Sequence, residues 1–371
     1  VDAEAENYNS RETVAKIMSY SPERVIILAT GSHPSAHIQA KDEMIKLSVM
    51  LEGKTNVETH SSLFIDPCKW GPPRWELLDM SKYRTHNWHS WSNGNIRIPY
   101  GAIFTSISCP MKCEFCTVKS FYGNQYQARL IEDVTADFDT LSKLDIKNIK
   151  VMDELFVFNP YRVHAICDDI IGRGYEFNIW AYARIDIMNE KLLKKMKKAG
   201  INWLAYGIET GSEEIRQNVL KGNFDNNKIR EVIKMTKDCG INALGNYMFG
   251  FWDDNLDTMQ QTFDLATELQ CEYSNFYCVV AYPDSELYNQ MVERKVSMPT
   301  DYIQYSQMSE NFKPLPTRHL KAEEVLKFRD NAFNSYYTNQ DYLKMMLIKF
   351  GSDVVQDIGL MSNKKIKRNG Y

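Results

Sequence analysis

The chain has 371 residues, of which 44% are hydrophobic, 25% charged and 12% aromatic, and its formal net charge is −4. This balance excludes disordered and fibrous architectures, and the lack of a basic excess argues against a nucleic-acid partner. No apolar run approaches the roughly 20 residues that a membrane helix needs, and no secretory leader pattern is visible, so a cytoplasmic protein without a membrane span is expected.

The first elements are a helix predicted over 10–20 and a buried strand over 25–30, followed by a loop, Gly31-Ser32-His33-Pro34-Ser35-Ala36. A linker rich in proline and aromatic residues comes next and carries His86 and His89. Their spacing leaves two readings open, a metal or acid/base role and an ordinary buried, hydrogen-bonded pair. Residues 100–108 read as a buried strand that runs straight into a cysteine loop. Strands are then predicted over 148–156, 176–185, 203–210, 243–251 and 274–282. Between and after them fall helices over 129–143, 160–173, 189–198, 213–220, 225–239, 256–269 and 285–293. Such alternation means a parallel sheet with helices outside. Eight βα units would close a full barrel, and six are predicted here. The tail adds helices over 322–337 and 340–350, and its basic end, 364–368, reads as solvated.

Three of the eight cysteines crowd into Cys109-Pro-Met-Lys-Cys113-Glu-Phe-Cys116. Three thiolates on one short loop can face one small volume. A [4Fe–4S] cube needs four ligands, and this loop offers three, which leaves one iron open to another molecule. A zinc site would want a fourth protein ligand close by. The nearest histidine, His89, lies twenty residues upstream of Cys109. Cys68, Cys167, Cys239, Cys271 and Cys278 are scattered and read as small core residues, so no second cluster is expected.

The Cys-x3-Cys-x2-Cys spacing, with Phe115 just before the last cysteine, resembles the signature of the radical S-adenosylmethionine (SAM) superfamily. The resemblance implies an α/β fold built on a partial (β/α)6 TIM-like barrel. It implies that Cys109, Cys113 and Cys116 hold a [4Fe–4S] cluster whose fourth iron is chelated by SAM. Reduction of that cluster would cleave SAM to methionine and a 5′-deoxyadenosyl radical, with Phe115 along the adenine. An external electron donor such as flavodoxin or ferredoxin would be the partner.

Chemistry in parallel barrels sits at the carboxyl ends of the strands. The strand over 148–156 ends Met152-Asp153-Glu154 where the family usually has Gly-Gly-Glu, so Glu154 is expected to meet the SAM amino group and Asp153 to assist or cap. Trp180, Tyr182 and Arg184 share one face of their strand. Arg184 suits a carboxylate, either that of SAM or substrate or that of Asp186 or Glu209. Glu209, ahead of Gly211-Ser212, resembles the residue that binds the SAM ribose in tRNA methylthiotransferases and B12-dependent radical enzymes. Ser212 and Asp254 read as helix caps. Gly250, in a stretch resembling Phe-Gly-x-Pro-x-Asp, either lets adenine approach the backbone or serves an unusual backbone angle.

The run 22–36 and the linker 72–89 resemble the cobalamin-binding domain and connector that precede many radical SAM barrels. Two strands are recognisable there, the chain starts at Val1 rather than methionine, and no Asp-x-His-x-x-Gly motif is present. A truncated domain with weak or absent cobalamin binding is therefore expected. The expected domains are 1–66, a partial Rossmann-like unit; 67–98, a linker; 99–295, the barrel; and 296–371, a helical extension. The reaction implied by the resemblance is cobalamin-dependent methyl transfer to an unactivated carbon of a small molecule. The alternatives are radical cyclisation or rearrangement, a non-catalytic iron–sulfur electron carrier, and a tRNA methylthiotransferase, which would want further N-terminal cysteines and a basic module.

Overall fold

A computed structural model describes residues 1–28, 34–60 and 71–369. The N-terminal unit holds helix α1 (Ser10–Met18), strand β1 (Arg24–Leu28), helices α2 (Pro34–Gln39) and α3 (Lys41–Leu51), and strand β2 (Asn56–His60), which pairs parallel with β1. Helices α2 and α3 were not legible as periodic segments. Cys68 and residues 29–33 lie outside the described residues.

A six-stranded parallel sheet follows, with strands β3 (Tyr100–Ile103), β6 (Asn148–Val151), β7 (Asn178–Ala183), β8 (Ile201–Glu209), β9 (Asn242–Phe249) and β10 (Tyr273–Cys278). They lie in the order β10-β9-β8-β7-β6-β3. The strand expected over 100–108 breaks after Ile103, and its second part, β4 (Ser106–Ile107), pairs antiparallel with β5 (Gln127–Ala128). The break has a local cause. Buried Asp153 accepts the Thr105 amide at 2.6 Å and the Thr105 and Ser106 hydroxyls at 2.5 and 2.6 Å, pulling the chain off the sheet line. Asp153 is thus a structural clamp on the entry to the cysteine loop.

Helix α4 (Asn87–Ser90) precedes the sheet, and α5 (Val118–Tyr122) follows the cysteine loop. The crossovers carry α6 (Ile131–Lys143), α7 (Pro160–Gly172), α8 (Glu190–Lys198), α9 (Glu213–Asn218), α10 (Asn226–Asp238) and α11 (Leu256–Leu269), and α12 (Glu286–Glu293) follows β10. Several start where a side-chain oxygen takes an otherwise orphaned amide: Asn159, Asn189, Ser212, Asp225, Asn255 and Ser285 are the caps. Period-two alternation sends Ile149, Val151, Tyr247 and Phe249 outward under the helices, while Lys150, Tyr182, Asn246 and Asn275 point into the barrel.

The sheet does not close, so β3 and β10 are edges. Trp88 plugs the floor, with ring centroids 5.2, 5.1 and 5.5 Å from those of Trp180, Trp203 and Tyr273. His89 beside it is buried. Its Nε2 donates to the Asn178 carbonyl at 2.8 Å, and its Nδ1 accepts from the Thr85 hydroxyl at 2.6 Å. Burial pushes this imidazole down to about 3, so it is neutral and structural.

The tail forms α13 (Ala322–Tyr337), α14 (Gln340–Phe350) and α15 (Ser352–Ser362). It covers part of the open edge of β10. The Tyr337 hydroxyl donates to the Ser274 carbonyl at 2.6 Å and accepts the Ser274 amide at 3.0 Å. The Gln307 side chain does the same for Cys278, accepting its amide at 2.8 Å and donating to its carbonyl at 3.1 Å. The basic end is not wholly solvated, because Arg368 donates to the Ser309 carbonyl at 2.8 Å and the Asn369 amide to the Glu310 carbonyl at 2.8 Å. No helix among the described residues is long and apolar enough to cross a membrane. Since Trp88 is the hub of the floor, Trp88→Ala is expected to cost about 3–5 kcal/mol in denaturant unfolding, the range for emptying a buried aromatic site.

Candidate functional site

The cysteine loop is held from both ends of the barrel opening. Ser108 adopts φ +71 at its entry, the Glu114 amide donates to the Val219 carbonyl at 3.3 Å, and the Leu287 amide donates to the Glu114 carbonyl at 2.9 Å. Phe115 packs on Phe251, two residues beyond the end of β9, with centroids 5.6 Å apart. Cys109, Cys113 and Cys116 are free thiols that all line one cavity of about 660 Å³. Burial raises the Cys109 thiol and pushes Cys116 up to about 12. Among the described residues, no three His, Cys, Asp or Glu side chains gather as a single-ion site. Cys167, Cys271 and Cys278 are buried free thiols.

The same cavity receives Phe115, Glu154, Arg184 and Glu209. Glu154 is the outlier among its charges. Its Oε2 is buried without a hydrogen-bond partner, and burial pushes its carboxyl up to about 8. Glu209 ends β8 in the left-handed region, at φ +65, where β8 slips its register against β9. That strained position turns its carboxylate onto Lys221 Nζ at 2.8 Å. Gly207 lies beneath this pair, and a Cβ there would collide with both Glu209 Oε1 and Lys221 Nζ. Burial works against the charge of Lys221, but the Glu209 carboxylate and Cys113 together outweigh it and raise the ammonium pKa.

Arg184 forks onto Asp186 at 2.9 and 2.7 Å and donates to the Lys221 carbonyl at 2.8 Å. Of the two readings for Arg184, the structure fills its fork with Asp186 while leaving the residue on the cavity wall. Lys221 was missed from sequence. It follows a short helix and precedes Gly222, and no periodicity marks it. Lys150, Trp180 and Tyr182 also line the cavity, as does His86, which stacks on Trp88 at 5.7 Å.

Gly250 departs from the adenine-approach reading. It does not line the cavity. Its φ is +93, and a Cβ there would sit 2.5 Å from Val325 Cγ1 of α13. The glycine therefore lets the tail helix dock. Asp254 caps this turn, accepting the Gly250 and Phe251 amides at 2.9 Å each.

The N-terminal unit reaches the cavity mouth. Ser35 and Gln39 line it, and Gln39 donates to the Tyr282 hydroxyl at 3.1 Å. Ile38 is buried against Ile107, Val118, Phe121 and Tyr122, which flank the cysteine loop.

The radical SAM superfamily family model matches residues 103–266, which includes the three cysteines, Glu154, Arg184, Glu209 and Gly250. Over that stretch the chain is similar to the radical SAM superfamily. It is 26% identical over 295 residues to an uncharacterized methyltransferase of Pyrococcus horikoshii, covering 79% of this chain and 61% of that protein. It is 23% identical to an anaerobic magnesium-protoporphyrin IX monomethyl ester cyclase of Rubrivivax gelatinosus, covering 75% of this chain and 48% of that one. The chain thus spans about half the length of the curated relatives it matches. Among solved structures, the radical SAM methyltransferase TsrM of Kitasatospora setae, bound to tryptophan and a SAM analogue, superposes with a TM-score of 0.50 at 16% identity. That match covers 71% of this chain and 53% of TsrM. The cobalamin-dependent SAM radical enzyme OxsB also gives 0.50, at 13% identity over 77% of this chain and 49% of its own. These likenesses are of fold.

Two outcomes test the geometry. Glu154 titrates near 4.5 when unperturbed and about 8 here, so the folded state holds its proton more tightly. The stability from that proton is present below the unperturbed value and is lost as pH rises through the folded one. Glu154→Gln, which fixes the neutral form, is expected to raise the melting temperature of the cofactor-free protein at about pH 9, with the gap closing below about pH 5. Gly250→Ala is expected to cost about 1–3 kcal/mol in urea unfolding. Combined with Val325→Ala, it should cost less than the two singles added, by about 1 kcal/mol.

Proposed function

We propose that this chain is the catalytic part of a radical SAM enzyme acting on a small molecule, and that the cavity is its reaction chamber. The observation that carries the reading is the meeting, in one cavity, of three thiols from a single loop with a buried carboxylate oxygen that has no partner. Three sulfur donors on one loop suit a [4Fe–4S] cluster and leave one iron for SAM. The orphaned Glu154 oxygen suits an ammonium group. When bound, the cluster supplies the electron that cleaves SAM reductively to methionine and a 5′-deoxyadenosyl radical.

Cys109, Cys113 and Cys116 would hold the cluster, and Phe115 would flank the adenine. Glu154 would take the SAM ammonium into its charged form, releasing its own proton to solvent. Glu209 keeps one oxygen on Lys221 and has the other for the ribose hydroxyls. Lys221 and Arg184 put positive charge beside the SAM carboxylate. The aromatic walls exclude water from the reacting carbon.

Methyl transfer to an unactivated carbon is the favoured reaction, supported by the methyltransferase names among the relatives. Cyclisation is the second reading, on the strength of the cyclase relatives. The N-terminal unit is the candidate cobalamin platform, but its two described strands offer little surface for a corrin ring.

Anaerobic reconstitution is expected to give about four irons per chain. Cys113→Ala should lose iron and abolish SAM cleavage, and cleavage retained in that variant overturns the assignment. Mass spectrometry separates the reactions: S-adenosylhomocysteine with 5′-deoxyadenosine marks methylation, and 5′-deoxyadenosine alone marks the alternative. Glu209→Gln should weaken SAM binding by about 1–3 kcal/mol with the cluster intact. Glu209→Ala should do more damage, because it strands the buried Lys221 charge.

A further inference from the structure

The proposed reaction uses the residues at the cluster end of the cavity and leaves the wall made by β9 and β10 without a role. On β10, Tyr273, Asn275 and Tyr277 are half-buried and line the cavity, alternating with the buried Ser274, Phe276 and Cys278. Period two puts the three on one inward face, with a carboxamide between two phenol rings. In the sheet register Asn275 lies beside Asn246 of β9, and Asn246 beside Gly207 of β8. That row is one inward-facing residue below Glu209, which ends β8.

The hydrogen bonds along this row have a fixed direction. The Tyr206 carbonyl can only accept, so the Asn246 side chain turns its nitrogen toward it, Nδ2 donating at 3.3 Å. That orientation presents the Asn246 oxygen to Asn275, whose Nδ2 donates to it at 3.0 Å. A carboxamide has two N–H donors and one oxygen acceptor. Asn275 therefore spends one N–H on the protein and keeps the other, together with its oxygen. Among the described residues neither has a partner, and the residue opens onto the cavity. Asn275 thus offers a donor and an acceptor on one planar group, oriented by a chain of bonds that ends on the backbone. Across the cavity stand Trp180 and Tyr182 of β7, with ring centroids 5.2 Å apart. A cavity of about 660 Å³ falls within the usual range for small-molecule sites and, shared with SAM, leaves room for a small second molecule.

We propose that Asn275 is a substrate-recognition residue, and that the substrate is a planar ring compound carrying a hydrogen-bond donor directly beside an acceptor, as in a lactam or an amino-substituted ring nitrogen. This rests on the reading of the cavity as a radical SAM reaction chamber. Tyr273 and Tyr277 bracket the ring, and the Asn275 carboxamide sets which way round it lies. A ligand with the matching edge completes both free groups of Asn275, and a mismatched one leaves them unpaired, at a cost. The adenine of SAM offers the same kind of edge, but Phe115 and Glu209, the residues proposed for the adenosine, stand above this row at the cluster end. Asn275 sets orientation and specificity and takes no part in bond breaking.

The test is calorimetric titration of the reconstituted full chain, saturated with SAM, using 2-quinolone and 4-quinolone. These isomers have the same size and the same groups, but the N–H adjoins the carbonyl in the first and lies across the ring from it in the second. The 2-quinolone is expected to bind about fivefold more tightly, the size of one net hydrogen bond. Asn275→Leu should erase the preference, as should Asn275→Asp, which keeps the side-chain shape without the N–H and guards against a folding artefact. Equal binding of the isomers by the parent protein, or a preference that survives in both variants, overturns the proposal. SAM is also titrated into each variant without a quinolone. A SAM affinity that falls by the same factor assigns Asn275 to the adenine and equally overturns the proposal. Failure of the underlying reading would instead appear as a parent protein that does not cleave SAM.

Discussion

A six-stranded sheet curved like a barrel leaves two edges, and an edge exposes a ladder of amides and carbonyls that water cannot reach once the core is filled. Each such group left bare costs on the order of 1–3 kcal/mol. The rest of the molecule is arranged around that constraint. Tyr337 and Gln307 pair with Ser274 and Cys278 as an adjacent strand would. Trp88 and Trp91 plug the floor, with Trp91 meeting Phe350 of α14 at 5.9 Å. The linker and the tail are therefore structural walls of the cavity.

The second constraint is the burial of charge. Arg129 with Asp137, Glu209 with Lys221, and Arg184 with Asp186 are matched pairs. Asp153 is buried without a cation but accepts three hydrogen bonds. Asp137 and Glu154 each keep one buried oxygen without a hydrogen-bond partner, and of the two only Glu154 lies on the cavity wall and has no cation paired with it.

Much of this was legible. The barrel strands and helices follow from sustained two-residue and 3.6-residue periodicity, and the observed elements mostly differ from expectation by one or two residues at their ends. The cysteine loop was legible because ligand spacing is local chemistry. What escaped depends on contacts distant in sequence. The break at Phe104 is caused by Asp153, far downstream. The tight spot at Gly250 is made by Val325 on another helix. Lys221 acquires its role only because Gly207 leaves room for it. The short helices α2 and α3 were hidden because their apolar faces pack on separate surfaces, Ile38 near the cysteine loop and Leu51 in the small N-terminal core.

The tie between the far tail and the segment 309–310 has a practical side. That segment directly follows Ser306, Gln307 and Met308, which form part of the cavity wall. Arg368 also lies over the Phe312 ring at 5.5 Å, so the last described residues hold the wall in place from behind. A purification handle or surface-immobilisation linker attached at this end would pull directly on that wall. At the N-terminal end, α1 packs on α3, remote from the cysteine loop. That end is tied in as well, since the Tyr83 hydroxyl donates to Asp2 at 2.7 Å and Lys82 pairs with Glu6 at 2.6 Å, just ahead of His86 and Trp88 on the cavity wall.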